Sequence, residues 1–316
     1  ELCLTGYSAE DLFFSEALMA DTQNALQHLC TCDMPLLIVG APWRLCDGRL
    51  INCAGAIGNH RVLGMIPKTF LPNYSEYYEQ RWFASGASVN ETEVHDALGT
   101  FHIRVDQLFR LGDALVGAEI CEDLWAPVNP GTHAALAGSN IVCNLSASNE
   151  LVSKADYRED LVRMTSAKSF CAYVYAGAGV MESTKDVVFG GHCLIDEAGQ
   201  LLAQSKRFEL SAQAVIGDVD LQRLQHDRAQ NTTFAQMPRP RAYRIVQADT
   251  KMPALTNLHR QYSKQPFVPE DENEFSARAQ EILQIQATGL ARRMLAAKTE
   301  RLVIGLSGGP VSYTHL

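Results

Sequence analysis

Short apolar runs that alternate with helical segments constrain the fold of this 316-residue chain most strongly. Residues 140–145 form an apolar run typical of a buried strand, residues 155–170 follow as a predicted helix, and residues 171–178 give the next strand. Predicted hairpins lie on either side of this unit, over residues 49–66 and residues 186–203. Hairpins mixed with strand–helix–strand units favour a two-layer α/β sandwich over a purely parallel sheet.

Composition limits the classes of protein to which the chain can belong. With 47% hydrophobic and 20% charged residues, the chain has an ordinary globular composition that can bury a substantial core. Its net charge of −9 argues against nonspecific nucleic-acid binding. No uninterrupted apolar stretch reaches the roughly 18 residues that a membrane helix needs. We therefore expect neither nucleic acid nor a membrane as a partner.

The nine cysteines form an odd set without paired spacing. Several lie in apolar runs, as Cys143 does, which is typical of reduced cysteines buried in a cytoplasmic protein. Cys30 and Cys32 are too close together for a standard zinc pair, and no second pair follows them. The sequence therefore predicts a cytoplasmic protein without a metal site.

One cysteine stands where a nucleophile is useful. Cys121 follows an apolar run and precedes an acidic segment that starts like a helix, within residues 117–125 (GAEICEDLW). At such a turn the sulfur can project, and the next backbone N–H groups can hold a developing oxyanion. Position alone does not identify a catalytic cysteine among nine. Two further segments strengthen the hypothesis: residues 1–7 (ELCLTGY), and residues 66–74 (IPKTFLPNY) with a lysine between two prolines.

Together these segments resemble the nitrilase, or carbon–nitrogen hydrolase, superfamily, whose catalytic set is a glutamate, a lysine and a cysteine in that chain order. The matching residues are Glu1, Lys68 and Cys121, and Glu79 matches a second, supporting glutamate of the family. The resemblance implies an αββα sandwich over roughly residues 1–250. In the family a strand–helix–strand unit comes before the first glutamate, so we expect this domain to be truncated at its N-terminus.

The resemblance also implies a role for each residue. Cys121 attacks an amide carbon as a thiolate, while Glu1 accepts its proton, protonates the leaving ammonia and activates water. Lys68 and the backbone N–H of Glu122 stabilise the tetrahedral oxyanion. Glu79 either orients Lys68 or transfers protons. The residues expected to bind the glutamine substrate are Tyr7, Tyr74, Glu122, Ser148 and Lys154.

The C-terminal part of the chain has a different character. Prolines punctuate residues 229–274, which predicts an extended linker. Apolar residues at helical spacing then predict a helix over residues 279–297, and residues 301–309 read as a strand that runs into a glycine-rich turn. We therefore predict a glutaminase domain over residues 1–250, a linker over residues 251–274, and the truncated start of an α/β ATP-pyrophosphatase domain, its first helix and strand, over residues 275–316.

The order of these motifs resembles that of glutamine-dependent NAD synthetases, in which a glutaminase domain supplies ammonia to an ATP-dependent synthetase domain. That resemblance implies L-glutamine, nicotinic acid adenine dinucleotide and ATP as substrates, magnesium in the synthetase part, no cofactor in the glutaminase part, and a homo-oligomer. The residues that match the ATP loop are Gly305, Ser307, Gly308, Gly309 and Ser312. Val311 stands where an aspartate is expected, so we expect this chain to bind no ATP and to lack synthetase activity.

Three other interpretations remain open from the sequence. A Cys–His hydrolase would use His192 as its base, although no orienting Asn or Asp stands out. A stand-alone amidase or carbamoylase would share the same catalytic residues but would end near residue 250. The chain could also be a catalytically inactive module. An assay with glutamine as the only substrate distinguishes the inactive module from the enzymes, because only an enzyme would hydrolyse it.

Overall fold

The chain divides into two compact units, Glu1–Arg260 and Gln261–Leu316. The computed structural model describes residues 1–184, 186–239, 242–250, 252, 255–262, 264, 265, 267–269, 271–303 and 305. None of the helices in this described part has the length and apolar character needed to cross a bilayer.

Helices and strands alternate along the first unit much as the sequence pattern predicts. Its helices are α1 (Glu16–Leu29), α2 (Pro130–Leu136), α3 (Lys154–Ser169), α4 (Leu221–Gln230) and α5 (Thr232–Gln236). Its strands are β1 (Leu37–Arg44), β2 (Leu50–Gly58), β3 (Arg61–Pro67), β4 (Thr92–Asp96), β5 (Gly99–Ile103), β6 (Gln107–Leu111), β7 (Ala114–Ile120), β8 (Ile141–Ser146), β9 (Ala172–Gly177), β10 (Cys193–Glu197), β11 (Gln200–Gln204) and β12 (Arg244–Gln247). Short 3-10 helices span Tyr7–Phe14, Glu79–Arg81, Gly86–Ser88 and Cys121–Trp125.

The strands form two mixed sheets. One has the order β1-β2-β3-β5-β4, and the other has the order β11-β10-β9-β8-β7-β6-β12. In the second sheet β7, β8 and β9 run parallel, so their carboxyl ends meet at one edge. The hairpins β2–β3 and β10–β11 are antiparallel, as the sequence predicts. The second hairpin is shorter than predicted, because β10 begins only at Cys193.

The two sheets pack face to face, with helices on their outer surfaces. Ala54 and Ala56 of β2 belong to one buried cluster with Phe109 and Ala118 of the other sheet. The residues of β2 that alternate with these alanines point to the outer face of the first sheet. There Cys53 belongs to a second cluster, which includes side chains of α1. Helix α3 packs on the outer face of the second sheet. The predicted αββα sandwich is therefore confirmed.

The prediction of an extended linker from residue 229 is wrong for part of its length. Residues 232–236 form α5, and β12 pairs in parallel with β6 at the edge of the second sheet. A four-residue edge strand between prolines is too short to leave a periodic pattern in the sequence. Beyond it, Arg260 donates two hydrogen bonds to the carboxylate of Glu197, both 2.8 Å long, so the chain stays attached to the first unit up to this residue.

The second unit contains a long helix, α6 (Glu272–Ala297), at the place the spacing predicts. Its N-cap is Asp271, whose carboxylate accepts a hydrogen bond from the backbone N–H of Glu274 at 2.8 Å. Residues 301–303 and 305, where the sequence predicts a strand, lie in irregular backbone. A strand needs a hydrogen-bonding neighbour, and the described residues of this unit supply none.

Gly40 in β1 lies where the N-terminal segment passes the sheet. The backbone N–H of Leu4 donates a hydrogen bond to the Gly40 carbonyl at 3.3 Å. A Cβ atom at Gly40 would lie 2.3 Å from the backbone nitrogen of Leu2 and 2.9 Å from the carbonyl carbon of Glu1. Only a hydrogen atom fits between these backbones, so this glycine fixes the position of Glu1 against the sheet.

We expect Gly40→Ala to lower the free energy of unfolding by about 1–3 kcal/mol, because the added methyl group must displace backbone atoms. Gly55→Ala is the matched control, since the nearest atom to a Cβ there is the Val39 carbonyl oxygen at 3.7 Å, an ordinary contact. Urea unfolding followed by circular dichroism measures both. Equal midpoints for the two variants would show that the N-terminal segment does not pack on Gly40.

Candidate active site

Cys121 stands at the point where β7 ends and a 3-10 helix begins. Its backbone φ is 45°, a left-handed conformation that few residues other than glycine adopt and that is often found at functional turns. The Cys121 backbone N–H donates a hydrogen bond to the Asn144 side-chain oxygen at 3.2 Å, which ties this turn to the parallel neighbour β8. The cysteine is 4% exposed and lies at the carboxyl edge of the second sheet.

Lys68 follows β3 and is completely buried. Its ammonium donates hydrogen bonds to Glu1 Oε1 at 2.6 Å and to Glu79 Oε1 at 2.7 Å. Burial alone would lower the pKa of Lys68, but the charges of Glu1 and Glu79 raise it well above its ordinary value. The lysine is therefore protonated at neutral pH.

Glu1 is held on both carboxylate oxygens. Oε1 accepts hydrogen bonds from Lys68 and from the Asn52 side-chain amide at 2.7 Å, and Oε2 accepts one from the backbone N–H of Ala147 at 2.9 Å. Burial by itself would raise the pKa of Glu1, yet the Lys68 ammonium, the positive charge of the N-terminus and the hydrogen bond from Ala147 keep that pKa below its ordinary value. Glu1 is therefore an ionised carboxylate.

Glu79 shares the lysine with Glu1 but has a different environment. Its Oε1 accepts a second hydrogen bond from the Tyr7 hydroxyl at 2.7 Å, whereas its buried Oε2 has no hydrogen-bond partner among the described residues. Burial, together with the negative charge of Glu1, raises the pKa of Glu79 to about 7 although Lys68 opposes the shift. Two carboxylates that share one ammonium thus differ in their affinity for a proton.

The thiol of Cys121 belongs to the same electrostatic cluster. Burial and the charge of Glu1 raise its pKa to about 12, while the Lys68 ammonium lowers it in part. At neutral pH the sulfur therefore carries its proton in the free site, and a thiolate forms only if a base takes that proton. Glu1 is an ionised carboxylate whose charge acts on this thiol.

Asp123 connects the lysine loop to the cysteine turn, a role that no motif in the sequence predicts. Its Oδ1 accepts hydrogen bonds from the backbone N–H groups of Thr69 at 3.1 Å and Phe70 at 2.8 Å, and its Oδ2 accepts one from Ile120 at 3.0 Å. Burial raises the pKa of Asp123 to about 8. This side chain fixes the position of Lys68 relative to Cys121.

The residues expected to bind substrate surround this cluster. The Tyr74 hydroxyl donates to Glu122 Oε1 at 2.7 Å, and the Lys154 ammonium donates to the Asn149 side-chain oxygen at 2.5 Å. Ser148 is 7% exposed and receives a long hydrogen bond from Arg158 at 3.5 Å. Asn149 also accepts a hydrogen bond from the hydroxyl of Tyr77 at 2.8 Å. That Asn149 and Tyr77 lie beside the residues expected to bind substrate was not predicted from the sequence.

The remaining candidate residues lie elsewhere. His192 contacts Arg158 through Nδ1 at 3.0 Å and Gln204 through Nε2 at 2.9 Å, and burial with the Arg158 charge lowers its pKa to about 4. It is a neutral structural histidine, which removes the support for a Cys–His pair. Gly305 is exposed in the second unit. Four further ATP-loop residues, and the departure at position 311, lie outside the described residues: Ser307, Gly308, Gly309, Ser312 and Val311.

No group of three or more His, Cys, Asp or Glu side chains in the described part of the chain has the arrangement of a metal site. The described carboxylates of the cluster are instead occupied by hydrogen bonds from lysine, asparagine, tyrosine and backbone donors. The arrangement is suited to chemistry by a thiol, a carboxylate and an ammonium.

Comparisons with known proteins show which family this chain resembles. The family model described as carbon-nitrogen hydrolase matches residues 1–229. A Mycobacterium tuberculosis protein named glutamine-dependent NAD(+) synthetase is 37% identical over all of this chain and 48% of its own length. A Thermotoga maritima protein of the same name is 28% identical over 98% of this chain and 49% of its own length. The chain thus spans about half the length of the curated relatives it matches.

Solved structures show the same fold. A glutamine-dependent NAD(+) synthetase from Cytophaga hutchinsonii superposes with a TM-score of 0.61 and 30% identity, over 68% of this chain and 35% of that one. A nitrilase-superfamily amidase from Nesterenkonia superposes with a TM-score of 0.51 and 18% identity, over 71% of this chain and 78% of that one. At that identity the amidase supports the fold alone.

The raised pKa of Glu79 predicts a pH dependence of stability. In the folded protein this carboxyl keeps its proton up to about pH 7, whereas in the unfolded chain it loses the proton near its ordinary pKa of 4.5. The free energy of unfolding therefore falls as pH rises through this window. We expect Glu79→Gln to remove on the order of 3 kcal/mol of this pH dependence, since glutamine keeps the oxygen that accepts from Lys68 but cannot ionise.

Urea unfolding at pH 5 and pH 8 measures this difference between the variant and the wild type. Other carboxyls with raised pKa values, such as Asp123 and Asp196, titrate in both proteins and cancel in the comparison. Glu281→Gln, on the exposed surface of α6, is the matched control and should behave as the wild type. An unchanged pH dependence in Glu79→Gln would contradict the assignment of a proton to this residue.

Proposed function

The chain belongs to the carbon–nitrogen hydrolase family, and from this membership we propose that its first unit is a glutaminase that hydrolyses the side-chain amide of L-glutamine through a thioester on Cys121. The observation that carries the proposal is the buried Glu1–Lys68–Glu79 cluster beside a buried cysteine at a strained turn. An ionised carboxylate next to a protonated thiol is the pairing that a cysteine nucleophile needs.

The proposed reaction begins with proton transfer from the Cys121 thiol to Glu1. The thiolate attacks the amide carbon, and a tetrahedral oxyanion forms. When the C–N bond breaks, Glu1 returns the proton to the departing nitrogen, so ammonia leaves and a glutamyl thioester remains. Water then attacks the thioester while Glu1 takes one of its protons. The C–S bond breaks, glutamate leaves, and Glu1 returns that proton to the sulfur, which restores the free thiol and the ionised carboxylate.

Lys68 is the residue best suited to stabilise the oxyanion. An ammonium group has three N–H donors, and two of them are used by Glu1 and Glu79. The third has no acceptor among the described residues and can bind a substrate oxygen, and the raised pKa of Lys68 keeps the positive charge in place. The backbone N–H of Glu122, directly after the nucleophile, is the second donor that we propose.

For a longer protein of which this chain would form about half, we propose that the ammonia serves the ATP-dependent amidation of nicotinic acid adenine dinucleotide to NAD. The support is the name shared by the relatives, glutamine-dependent NAD(+) synthetase, and their greater length. In this proposal residues 1–250 are the glutaminase domain, residues 251–274 are a linker, and residues 275–316 begin the synthetase domain, which would use ATP and magnesium. The glutaminase part would use no cofactor.

We also propose that the protein works in the cytoplasm as a homo-oligomer. The nine cysteines are all free, which supports a reducing compartment. The homo-oligomer follows from the resemblance to the synthetase family alone. A stand-alone amidase would use the same catalytic cluster, and no observation favours it over a glutaminase.

We expect Cys121→Ala to lower ammonia release from L-glutamine by at least about 10³-fold, because the variant has no nucleophile to form the thioester. A coupled ammonia assay on the wild-type and variant chains measures this. Acid quenching followed by mass spectrometry of the wild type should reveal one glutamyl group on the Cys121 peptide.

Cys46→Ala is the control, because Cys46 is an exposed cysteine outside the cluster, and it should keep the wild-type rate. Full activity in Cys121→Ala would refute the thioester on this residue. A wild-type chain that folds but releases no ammonia from L-glutamine would refute the proposed activity.

A further inference from the structure

Three charged side chains beside Cys121 make no ion pair with any described residue: Glu76, Glu122 and Lys154. We call these three, with Tyr77 and Asn149, the rim cluster. Charged groups that lie close together usually pair with each other when nothing else holds them. Here the ammonium and the carboxylates stay separate.

The separation is imposed by Asn149. Its side-chain oxygen accepts hydrogen bonds from the Lys154 ammonium at 2.5 Å and the Tyr77 hydroxyl at 2.8 Å. Its side-chain nitrogen donates to Glu76 Oε1 at 2.5 Å. One neutral amide thus holds a cation on one side and a carboxylate on the other. A fixed cation beside a fixed carboxylate is complementary to a zwitterion.

Lys154 lies in a setting that favours an incoming carboxylate. Its ammonium lies 5.4 Å from the ring centre of Trp125 and 5.8 Å from that of Tyr77. Lys154 is also the first residue of the 16-residue helix α3, where the helix dipole favours a negative charge. Burial and the neighbouring Arg158 charge lower the pKa of Lys154, although the charges of Glu76 and Glu122 oppose the shift, so a further carboxylate would stabilise the ammonium.

The residues of the rim cluster adjoin the reactive residues, both along the chain and in the folded protein. Glu122 directly follows Cys121 in the chain. Asn149 is two residues after Ala147, whose backbone N–H holds Glu1. Glu76 lines one pocket together with Tyr7, whose hydroxyl is bonded to Glu79. The charges of Cys121, Glu76 and Glu122 all act on Lys154, so these side chains lie close together, and a substrate whose amide reaches Cys121 would have its other end near Glu76 and Lys154.

We propose that Glu76 and Lys154, held apart by Asn149, select amides that carry both an α-ammonium and an α-carboxylate group. Glu76 receives the ammonium, and Lys154 receives the carboxylate. This inference rests on the proposed glutaminase function and adds the residue, Glu76, that separates an α-amino acid amide from a simple carboxylic amide.

The test compares L-glutamine with glutaramate, which is glutamine without its α-amino group. Glu76→Gln removes the negative charge but keeps a side-chain oxygen that can accept from Asn149. In this variant the KM for L-glutamine should rise at least about tenfold, because a charge-assisted hydrogen bond to the ammonium is lost. Its kcat should change little, and the KM for glutaramate should stay at the wild-type value.

Lys154→Gln is the second variant, and it should raise the KM for both substrates, since both carry the carboxylate. Glu281→Gln on the exposed surface of α6 is the matched control and should leave both KM values unchanged. If Glu76→Gln raises both KM values equally, the role of Glu76 is structural, and if it raises neither, Glu76 does not contact the substrate. Either result overturns the inference.

These outcomes differ from failure of the proposed function. A wild-type chain that hydrolyses neither substrate would refute the glutaminase and the inference with it. A wild-type chain that hydrolyses L-glutamine, with a Glu76→Gln variant that keeps the wild-type ratio of the two KM values, would refute only the role of Glu76. If Glu76→Gln does not fold, the KM values of Lys154→Gln still show whether the rim cluster binds the substrate carboxylate.

Discussion

A buried ammonium between two carboxylates organises this protein. Lys68 is 0% exposed, and removing a charge from water costs several kcal/mol unless partners compensate for it. The lysine and its two partners come from three separate segments: Lys68 from the loop after β3, Glu1 from the N-terminal segment, and Glu79 from a 3-10 helix. The cluster forms only when all three segments are in place. The same interaction that builds the site therefore also holds distant parts of the chain together.

The two glutamates that share Lys68 differ in their protonation. Glu1, with donors on both oxygens, stays ionised, whereas Glu79, with one oxygen unpartnered among the described residues, has its pKa raised to about 7 by burial. Cys121 keeps its proton because burial opposes a second negative charge beside Glu1. In the resting site, therefore, Cys121 is protonated and Glu1 is ionised. In our proposal the thiol must transfer its proton to Glu1 before the sulfur can attack.

Reactive chemistry and substrate choice are assigned to different side chains. The cluster around Lys68 is buried, and in our proposal it supplies the groups that cleave the amide bond. The rim cluster is partly open to solvent, and its charges are held apart by Asn149 rather than paired. In our proposal the rim decides which amides reach the sulfur. A change of substrate would then require new residues at the rim but not in the cluster.

The sequence by itself determined the order of the reactive residues and the class of fold. Glu1, Lys68 and Cys121 lie in distinctive local motifs, and the sandwich follows from periodic runs that are each read within one short segment. Tertiary structure alone decided the roles of Asp123 and Asn149, because their partners lie 53 and 73 residues away along the chain. It also decided that β12 is a strand, since four residues at a sheet edge are defined by their pairing with β6. Periodicity records which face of an element is buried, but hydrogen bonds between distant segments depend on how those segments pack.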